Sequence, residues 1–174
     1  MACACPDKLR FVTGRCRKPL RIAYIILDTN LLLIYSRGTE VSEQIEKEYE
    51  IFKDQNRVMI SVVTLGELNA LTKKLGIGDS RKKRLEQTLE RIAKINVNIK
   101  EIIDRYGDID AYSQGKLSDR KVDFSSRNMG KNDIWIAATA SVYKLKLYTT
   151  DKDFDHLASE FVELEFIDIE KYRR

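Results

Sequence analysis

Short segments rich in apolar residues recur along the chain and are separated by longer segments of mixed polarity. We expect the apolar segments to be strands, at 22–27, 57–61, 96–99, 146–149 and 163–167. Strands that are apolar throughout, such as 22–27, are typical of a parallel sheet that is covered on both faces. The pattern therefore predicts a sheet buried between two layers.

The segments between these runs predict helices. Apolar residues recur there at intervals of three and four positions, as in the stripe of Val62, Leu65, Leu68, Leu71 and Leu75. Helices are expected at 30–36, 41–53, 62–75, 79–94, 101–113 and 132–145, with a short helix at 154–159 and a polar loop at 115–130. This alternation predicts an α/β fold, a three-layer α/β/α sandwich with a mostly parallel sheet.

A length of 174 residues is enough for one domain with a substantial core. We expect that domain at 22–174, after a disordered N-terminal extension at 1–21 that shows no strand or helix periodicity. No apolar run approaches the roughly 20 residues that a membrane span needs. The sequence therefore predicts a soluble, cytoplasmic protein.

The net charge of +4 arises in the extension. Residues 1–21 contain six Lys or Arg and one Asp, which leaves 25 basic and 26 acidic residues in 22–174. The 3 cysteines, Cys3, Cys5 and Cys16, also lie there, in an odd number that favours a reducing compartment. Because the set lacks a fourth ligand, it does not favour a zinc site.

Four acidic residues follow apolar runs or begin expected helices. They are Asp28, Glu67, Asp133 and Asp151. Ligands of open α/β sheets bind outside the carboxyl ends of the strands, so we expect the four side chains to converge there. Carboxylates that are brought together repel one another unless a cation neutralises them, and hard oxygen ligands suit Mg²⁺ or Mn²⁺.

Helix capping is the alternative explanation for each acid, because a side-chain oxygen can accept a hydrogen bond from an unpaired N–H in the first turn. The possible caps are Asp28, Thr29 or Asn30; a Thr64–Glu67 capping box; Asn132 or Asp133; and Asp151 or Asp153. Helix capping alone, however, would not account for the particular residues that surround the four acids.

Those surrounding residues carry a resemblance to a known family. L-D-T-N follows the first expected strand, S-V-V-T-L-G-E-L spans the second strand and helix, N-D-x-x-I-A-A-T-A begins a late helix, and T-T-D-K-D-F follows the next strand. In this order the motifs resemble the PIN-domain family, and within it the VapC-type toxin ribonucleases. The resemblance extends from Ile22 to Ile169 and does not include the extension.

The resemblance implies a metal-dependent endoribonuclease, the toxin of a type II toxin–antitoxin pair. It places Asp28, Glu67, Asp133 and Asp151 at the catalytic centre as ligands of Mg²⁺ or Mn²⁺. Asn30 and Thr149 match supporting polar positions, and Asp153 and Asp155 are expected as further carboxylates around them. The implied partners are an RNA substrate, a cognate antitoxin and a second copy of the chain.

Basic residues near these motifs are candidates for contact with phosphate. They are Arg81 and Lys82 in the run Arg81–Arg84, and Arg127 and Lys131 before Asp133. A solvated helix face is the alternative for the run. Two other functions also stay open: a PIN nuclease in RNA processing or on structured DNA, and a catalytically silent PIN scaffold that binds RNA or protein.

Overall fold

One parallel sheet organises the part of the protein that the computed structural model describes, residues 22–158 and 160–172. Its strands are β1 (Tyr24–Leu27), β2 (Arg57–Ser61), β3 (Ala93–Ile95), β4 (Lys146–Thr149) and β5 (Glu163–Phe166). They lie in the order β3-β2-β1-β4-β5, and every neighbouring pair is parallel. The expected extension at 1–21 lies outside the described residues.

Helices connect the strands. They are α1 (Thr29–Arg37), α2 (Glu40–Tyr49), α3 (Val62–Leu75), α4 (Asp79–Glu90), α5 (Lys100–Ser113) and α6 (Lys131–Tyr143), followed by a first 3-10 helix at Lys152–Leu157 and a second at Ile169–Tyr172. None of the helices in the described ranges is long and apolar enough to cross a membrane.

Both faces of the sheet are covered, as the continuous apolar strands predicted. On one face Ile26 packs in a core formed with α5 and α6, and on the other Ile25 and Leu27 pack with α1, α2 and α4. Neighbouring strand residues point to opposite faces, so the three buried residues of β1, Ile25 to Leu27, are all apolar, whereas Tyr24 at its start is exposed. The predicted three-layer α/β/α sandwich is confirmed.

The third strand was predicted in the wrong place. It lies at Ala93–Ile95 rather than at 96–99, because α4 ends at Glu90 instead of Lys94 and the chain pairs with β2 immediately afterwards. The apolar residues that suggested the later strand, Val97 and Ile99, instead pack from a loop against the core beneath α5 and α6. They are apolar for burial and not for strand pairing.

Two other boundaries also differ. The helix expected at 41–53 ends at Tyr49, because Glu50 adopts a left-handed conformation with φ 48° and its N–H bonds to the carbonyl of Glu46. The short helix expected at 154–159 is the first 3-10 helix, Lys152–Leu157, which begins earlier because Asp151 accepts a hydrogen bond from the N–H of Asp153. In both cases a local cap sets the boundary.

Candidate active site

The strand order reverses at β1. From β1 the chain moves outwards through β2 to β3, and it later returns to the other side of β1 with β4 and β5. Such a reversal leaves a crevice at the carboxyl ends of β1 and β4, where α/β proteins bind their ligands. Asp28 directly follows β1, and Asp151 lies two residues after the end of β4.

Asp28 is held in a fixed orientation at this crevice. Its carboxylate accepts a hydrogen bond of 2.6 Å from the N–H of Thr29 and another of 3.0 Å from the hydroxyl of Thr149. The residue is only 2% exposed. Asp28 therefore does cap α1, as the alternative explanation proposed, and the same carboxylate also lies in the crevice.

Glu67 reaches the crevice from α3. Its Oε2 accepts a hydrogen bond of 2.7 Å from the hydroxyl of Thr29. The alternative explanation for Glu67, a Thr64–Glu67 capping box, is wrong, because Ser61 is the N-cap of α3 and Glu67 lies in the second turn of that helix. Thr29 was considered only as a possible cap, so its role in connecting two of the acids was missed.

Asp133 lies in the first turn of α6. The helix begins at Lys131 after the N-cap Gly130, so neither Asn132 nor Asp133 is the cap. A Cβ built on Gly130 would lie 2.5 Å from Oδ2 of Asp133, which shows that the carboxylate rests directly over this glycine.

A chain of hydrogen bonds joins the end of β4 to the acids. The hydroxyl of Thr149 donates to Asp28 and accepts a bond of 3.0 Å from the N–H of Asp151. Asp151 in turn accepts a bond of 2.9 Å from the N–H of Asp153 and caps the first 3-10 helix. Thr149 is fully buried, and its hydroxyl lies between the carboxylate of Asp28 and the backbone of Asp151.

Burial and the charges of neighbouring acids raise the pKa values of two of the acids, Asp133 and Asp28. Burial, together with the charges of Asp28, Glu67, Asp151 and Asp153, raises the pKa of Asp133 to about 7. Burial is also the main reason that the pKa of Asp28 rises to about 6, in spite of the hydrogen bonds from Thr149 and Thr29, which lower it. The four predicted acids thus share one electrostatic environment.

The acidic side chains lie in one region but do not form a complete metal-binding site. Among residues 22–158 and 160–172, no three Asp, Glu, His or Cys side chains are arranged so that they could hold one metal ion as they stand. Mg²⁺, however, binds through one or two carboxylates and keeps several waters, so it does not need three converging side chains. The all-oxygen ligands and their mutual repulsion fit a hard divalent cation.

Two clefts adjoin the acids. One, of about 490 Å³, lies between α3 and α6 and is lined by Val63, Gly66, Glu67, Ala70, Leu71, Lys74 and Asn132. The other, of about 260 Å³, is lined by Arg127, Asn128, Met129 and Asp153. Each cleft therefore contains one acid and one cation. Lys74 was missed because it lies seven residues after Glu67, and only the helix brings both residues to one cleft.

The remaining predicted residues lie around this centre. Arg127 lines the smaller cleft, and Lys131 is exposed at the start of α6, two residues before Asp133. Asn30 is exposed in the first turn of α1. Asp155 is exposed on the first 3-10 helix, where its charge acts on His156.

Arg81 and Lys82 lie elsewhere. Arg81 donates a hydrogen bond of 3.0 Å to the hydroxyl of Ser36, at the end of α1 opposite Asp28. Lys82 lies 3.9 Å from a carboxylate oxygen of Asp79 on α4. The structure therefore does not bring these two residues to the acids, and a contact with RNA at this position stays a prediction.

The same run contains Arg84, which stabilises the end of α1. Its guanidinium donates to the carbonyls of Ser36 and Arg37 at 3.1 and 3.2 Å, and it lies against Gly38. Because the last carbonyls of a helix lack partners and carry partial negative charge, we expect Arg84→Ala to lower the free energy of unfolding by about 1 kcal/mol. Urea denaturation measures this effect.

Lys83→Ala, an exposed neighbour on the same helix, is the matched control and should change stability little. If Arg84→Ala left stability unchanged and weakened RNA binding instead, the arginine would belong to an RNA surface and the proposed structural role would be wrong.

The protein is an α/β protein whose parallel sheet is covered on both faces. The acids at its β1/β4 crevice form a candidate site for a cation and a phosphate. The model of the PIN domain family matches residues 25–160. Because this match includes more than half of the chain, the protein belongs to the PIN domain family, and the predicted family is confirmed.

Several solved structures have a similar fold. VapBC2 from Rickettsia felis bound to a DNA fragment from their promoter has a TM-score of 0.66 and 20% identity, over 83% of this chain and 99% of that chain. VapBC-5 from Mycobacterium tuberculosis, of the VapBC family of toxin-antitoxin systems, has a TM-score of 0.55 and 23% identity, over 83% and 98%.

VapC20 from Mycobacterium tuberculosis, a Sarcin-Ricin loop cleaving toxin, has a TM-score of 0.53 and 17% identity, over 80% of this chain and 97% of that chain. At these identities the similarity shows a shared fold. Among curated proteins, no sequence matches the chain.

Proposed function

We propose that this protein is a divalent-metal-dependent endoribonuclease and the toxin of a VapC-like toxin–antitoxin pair. The observation that best supports the proposal is the grouping of Asp28, Glu67, Asp133 and Asp151 at the β1/β4 crevice, where burial and the neighbouring charges oppose the ionisation of Asp28 and Asp133. A scaffold that only binds RNA or protein has no need to keep such a costly set of charges together.

The four carboxylates would hold Mg²⁺ or Mn²⁺. Such an ion, when bound, supplies positive charge for the phosphate oxygens and lowers the pKa of an attacking water. Thr29 and Thr149 hold Glu67 and Asp28 in place through hydrogen bonds of 2.7 and 3.0 Å. These hydroxyls limit the rotation of both carboxylates, and so orient them before any ligand arrives.

The state of Asp133 follows from its raised pKa. Because its pKa is raised to about 7, its carboxyl group is partly protonated at neutral pH. Binding of a cation therefore releases protons from the site.

The only histidine of the sequence is His156. Its Nε2 lies 2.8 Å from the hydroxyl oxygen of Ser113, and this contact connects the first 3-10 helix to α5.

The two clefts suggest the path of an RNA strand across the acids. Lys74 lines the larger cleft and Arg127 the smaller one, so each cleft offers a cation to a phosphate of the strand. Lys131, exposed beside Asp133, adds a third. These cations would offset the repulsion between the acidic centre and the RNA backbone.

The proposed partner is an antitoxin, with a homodimer as the proposed assembly. Support for the antitoxin comes from the similar fold of VapBC-5, which belongs to a family of toxin-antitoxin systems. A gene for a small DNA-binding protein beside the gene for this chain is the expected source. Its co-expression should relieve growth arrest caused by this protein alone and should yield a stable complex.

We expect the purified protein to cleave RNA only in the presence of Mn²⁺ or Mg²⁺. The measurement is cleavage of a mixed pool of tRNA and rRNA with either ion or with EDTA. Lys74→Ala should weaken RNA binding and reduce its dependence on salt, since it removes one phosphate contact. Lys73→Ala, which changes a residue outside the cleft, is the matched control.

The outcomes separate the alternative functions. Cleavage that continues unchanged in EDTA would rule out the metal-dependent mechanism. Binding of RNA without any cleavage would support a silent scaffold. Cleavage without growth arrest, or without an antitoxin that relieves it, would instead favour a PIN nuclease of RNA processing or of structured DNA.

A further inference from the structure

Gly130 occupies a position where its backbone does not require glycine. Its φ of −58° and ψ of 135° are accessible to any residue. It is also the N-cap of α6, where Ser, Thr, Asn and Asp are preferred because their side chains accept a hydrogen bond from the first turn. Gly130 provides no such side-chain bond. Glycine is accepted at an N-cap, but neither the backbone conformation nor the cap requires it here.

The carboxylate of Asp133 explains it. A Cβ at position 130 would lie 2.5 Å from Oδ2 and 3.4 Å from Cγ of Asp133. The first distance is far below van der Waals contact, so the carboxylate occupies the space that any side chain at position 130 would need. The two groups cannot be present together in this arrangement.

Another N-cap glycine gives a direct comparison. Gly78 begins α4 with a similar backbone, φ −63° and ψ 156°, and it also provides no side-chain cap. A Cβ built on Gly78 meets nothing within 4 Å. The crowding at Gly130 is therefore not a general property of helix starts in this protein.

We propose that Gly130 is a positioning residue, which keeps open the space in which the Asp133 carboxylate lies over the start of α6, close to Asp28 and Glu67. This inference rests on the proposed metal-dependent function and adds a residue to it. Because the crowded atoms are at the end of a short side chain, a Cβ at position 130 turns the carboxylate away and leaves the backbone of α6 in place.

A side chain at position 130 should therefore impair RNA cleavage without impairing folding. A Gly130→Ser variant gains a preferred capping residue but displaces Asp133. We expect its melting temperature in EDTA to equal or exceed that of the wild type. We also expect half-maximal RNA cleavage to require at least about 10-fold more Mn²⁺. Changes to residues that orient metal ligands reduce metal affinity by about 10-fold or more.

Gly78→Ser is the matched control, because it makes the same change at a helix start with open space around it. It should leave the Mn²⁺ dependence and the cleavage rate unchanged. Gly130→Ala, which adds the Cβ without a hydroxyl, should reproduce the Mn²⁺ effect of Gly130→Ser. A Gly130→Ser protein with the Mn²⁺ dependence and rate of the wild type would overturn the inference.

The test also separates this inference from the proposed function. A wild type that neither cleaves RNA nor binds Mn²⁺ would disprove the proposed function. The crystal structure of Gly130→Ser then decides the positioning role by itself. A rotated Asp133 side chain would support it, and an unchanged Asp133 rotamer would overturn it.

Discussion

Replacing Asp133 by asparagine is expected to reduce RNA cleavage by at least about 100-fold, because loss of the proposed metal ligand would remove several kcal/mol of charge stabilisation and each 1.4 kcal/mol is tenfold in rate. The same change should leave the protein as stable as the wild type, or more stable, in EDTA at pH 7.5. This is because burial and the charges of Asp28, Glu67 and Asp151 oppose the ionisation of Asp133, and asparagine carries no charge.

Thermal unfolding of the wild type and of Asp133→Asn, with and without Mn²⁺, measures this effect. Added Mn²⁺ should raise the melting temperature of the wild type and have little effect on the variant, since binding to the folded state alone is what stabilises it. Glu101→Gln, an acid in the first turn of α5, is the matched control for loss of a helix-dipole interaction.

The site assignment would be wrong if Asp133→Asn were destabilised equally in EDTA and in Mn²⁺ and still cleaved RNA. In that case Asp133 would act only through the start of its helix. The structure excludes only the N-cap role for Asp133, because α6 begins at Lys131 and its N-cap is Gly130.

The metal-free protein is expected to lose stability as the pH rises from about 4 to 8. The pKa values of Asp28 and Asp133 are raised from 3.8 to about 6 and about 7 in the folded state. Between the ordinary pKa of 3.8 and the raised pKa of each group, the folded state keeps a proton that the unfolded state has released. The stability that these protons provide is fully present below about pH 4 and is lost as the pH rises through the folded-state pKa values.

The loss for Asp28, which is almost fully buried, is on the order of 2–3 kcal/mol at about 1.4 kcal/mol for each pKa unit. Urea denaturation in EDTA at a series of pH values measures it, and the difference between wild type and Asp133→Asn isolates the contribution of Asp133. His156 has a lowered pKa, mainly because it is buried, and acts in the opposite direction in both proteins.

Mn²⁺ should remove most of this loss at pH 8, since it neutralises the ionised carboxylates. A pH dependence that is identical in wild type and Asp133→Asn would show that Asp133 is not in the repulsive environment that the structure indicates.

Much of this arrangement could be predicted from the order of residues. The run before Asp28 is apolar at every position, which predicts a strand covered on both faces, and β1 is buried between two cores from Ile25 to Leu27. An acid directly after such a strand lies at the carboxyl edge of the sheet. For this reason Asp28 and Asp151 could be assigned to one edge of the sheet from the sequence.

Other features could not be predicted, because they depend on contacts between distant segments. The hydroxyl of Thr29 meets Glu67 across 38 positions of the chain, and Lys74 lines a cleft with Asn132. Arg84 was placed in a basic run with a possible role in RNA binding, and it instead pairs with carbonyls at the end of α1. Nothing in the composition of that run distinguishes the two roles.

The sequence by itself determined the layered α/β fold and the identity of the four acids, because apolar periodicity and the ends of strands are local properties. The tertiary structure alone decided how those acids are held. Only folding brings Thr149 to Asp28, 121 positions away, and only the packed start of α6 shows that the carboxylate of Asp133 fills the space above Gly130. Hydrogen bonds and steric contacts act over a few ångströms, so they become visible only when the chain has brought their partners together.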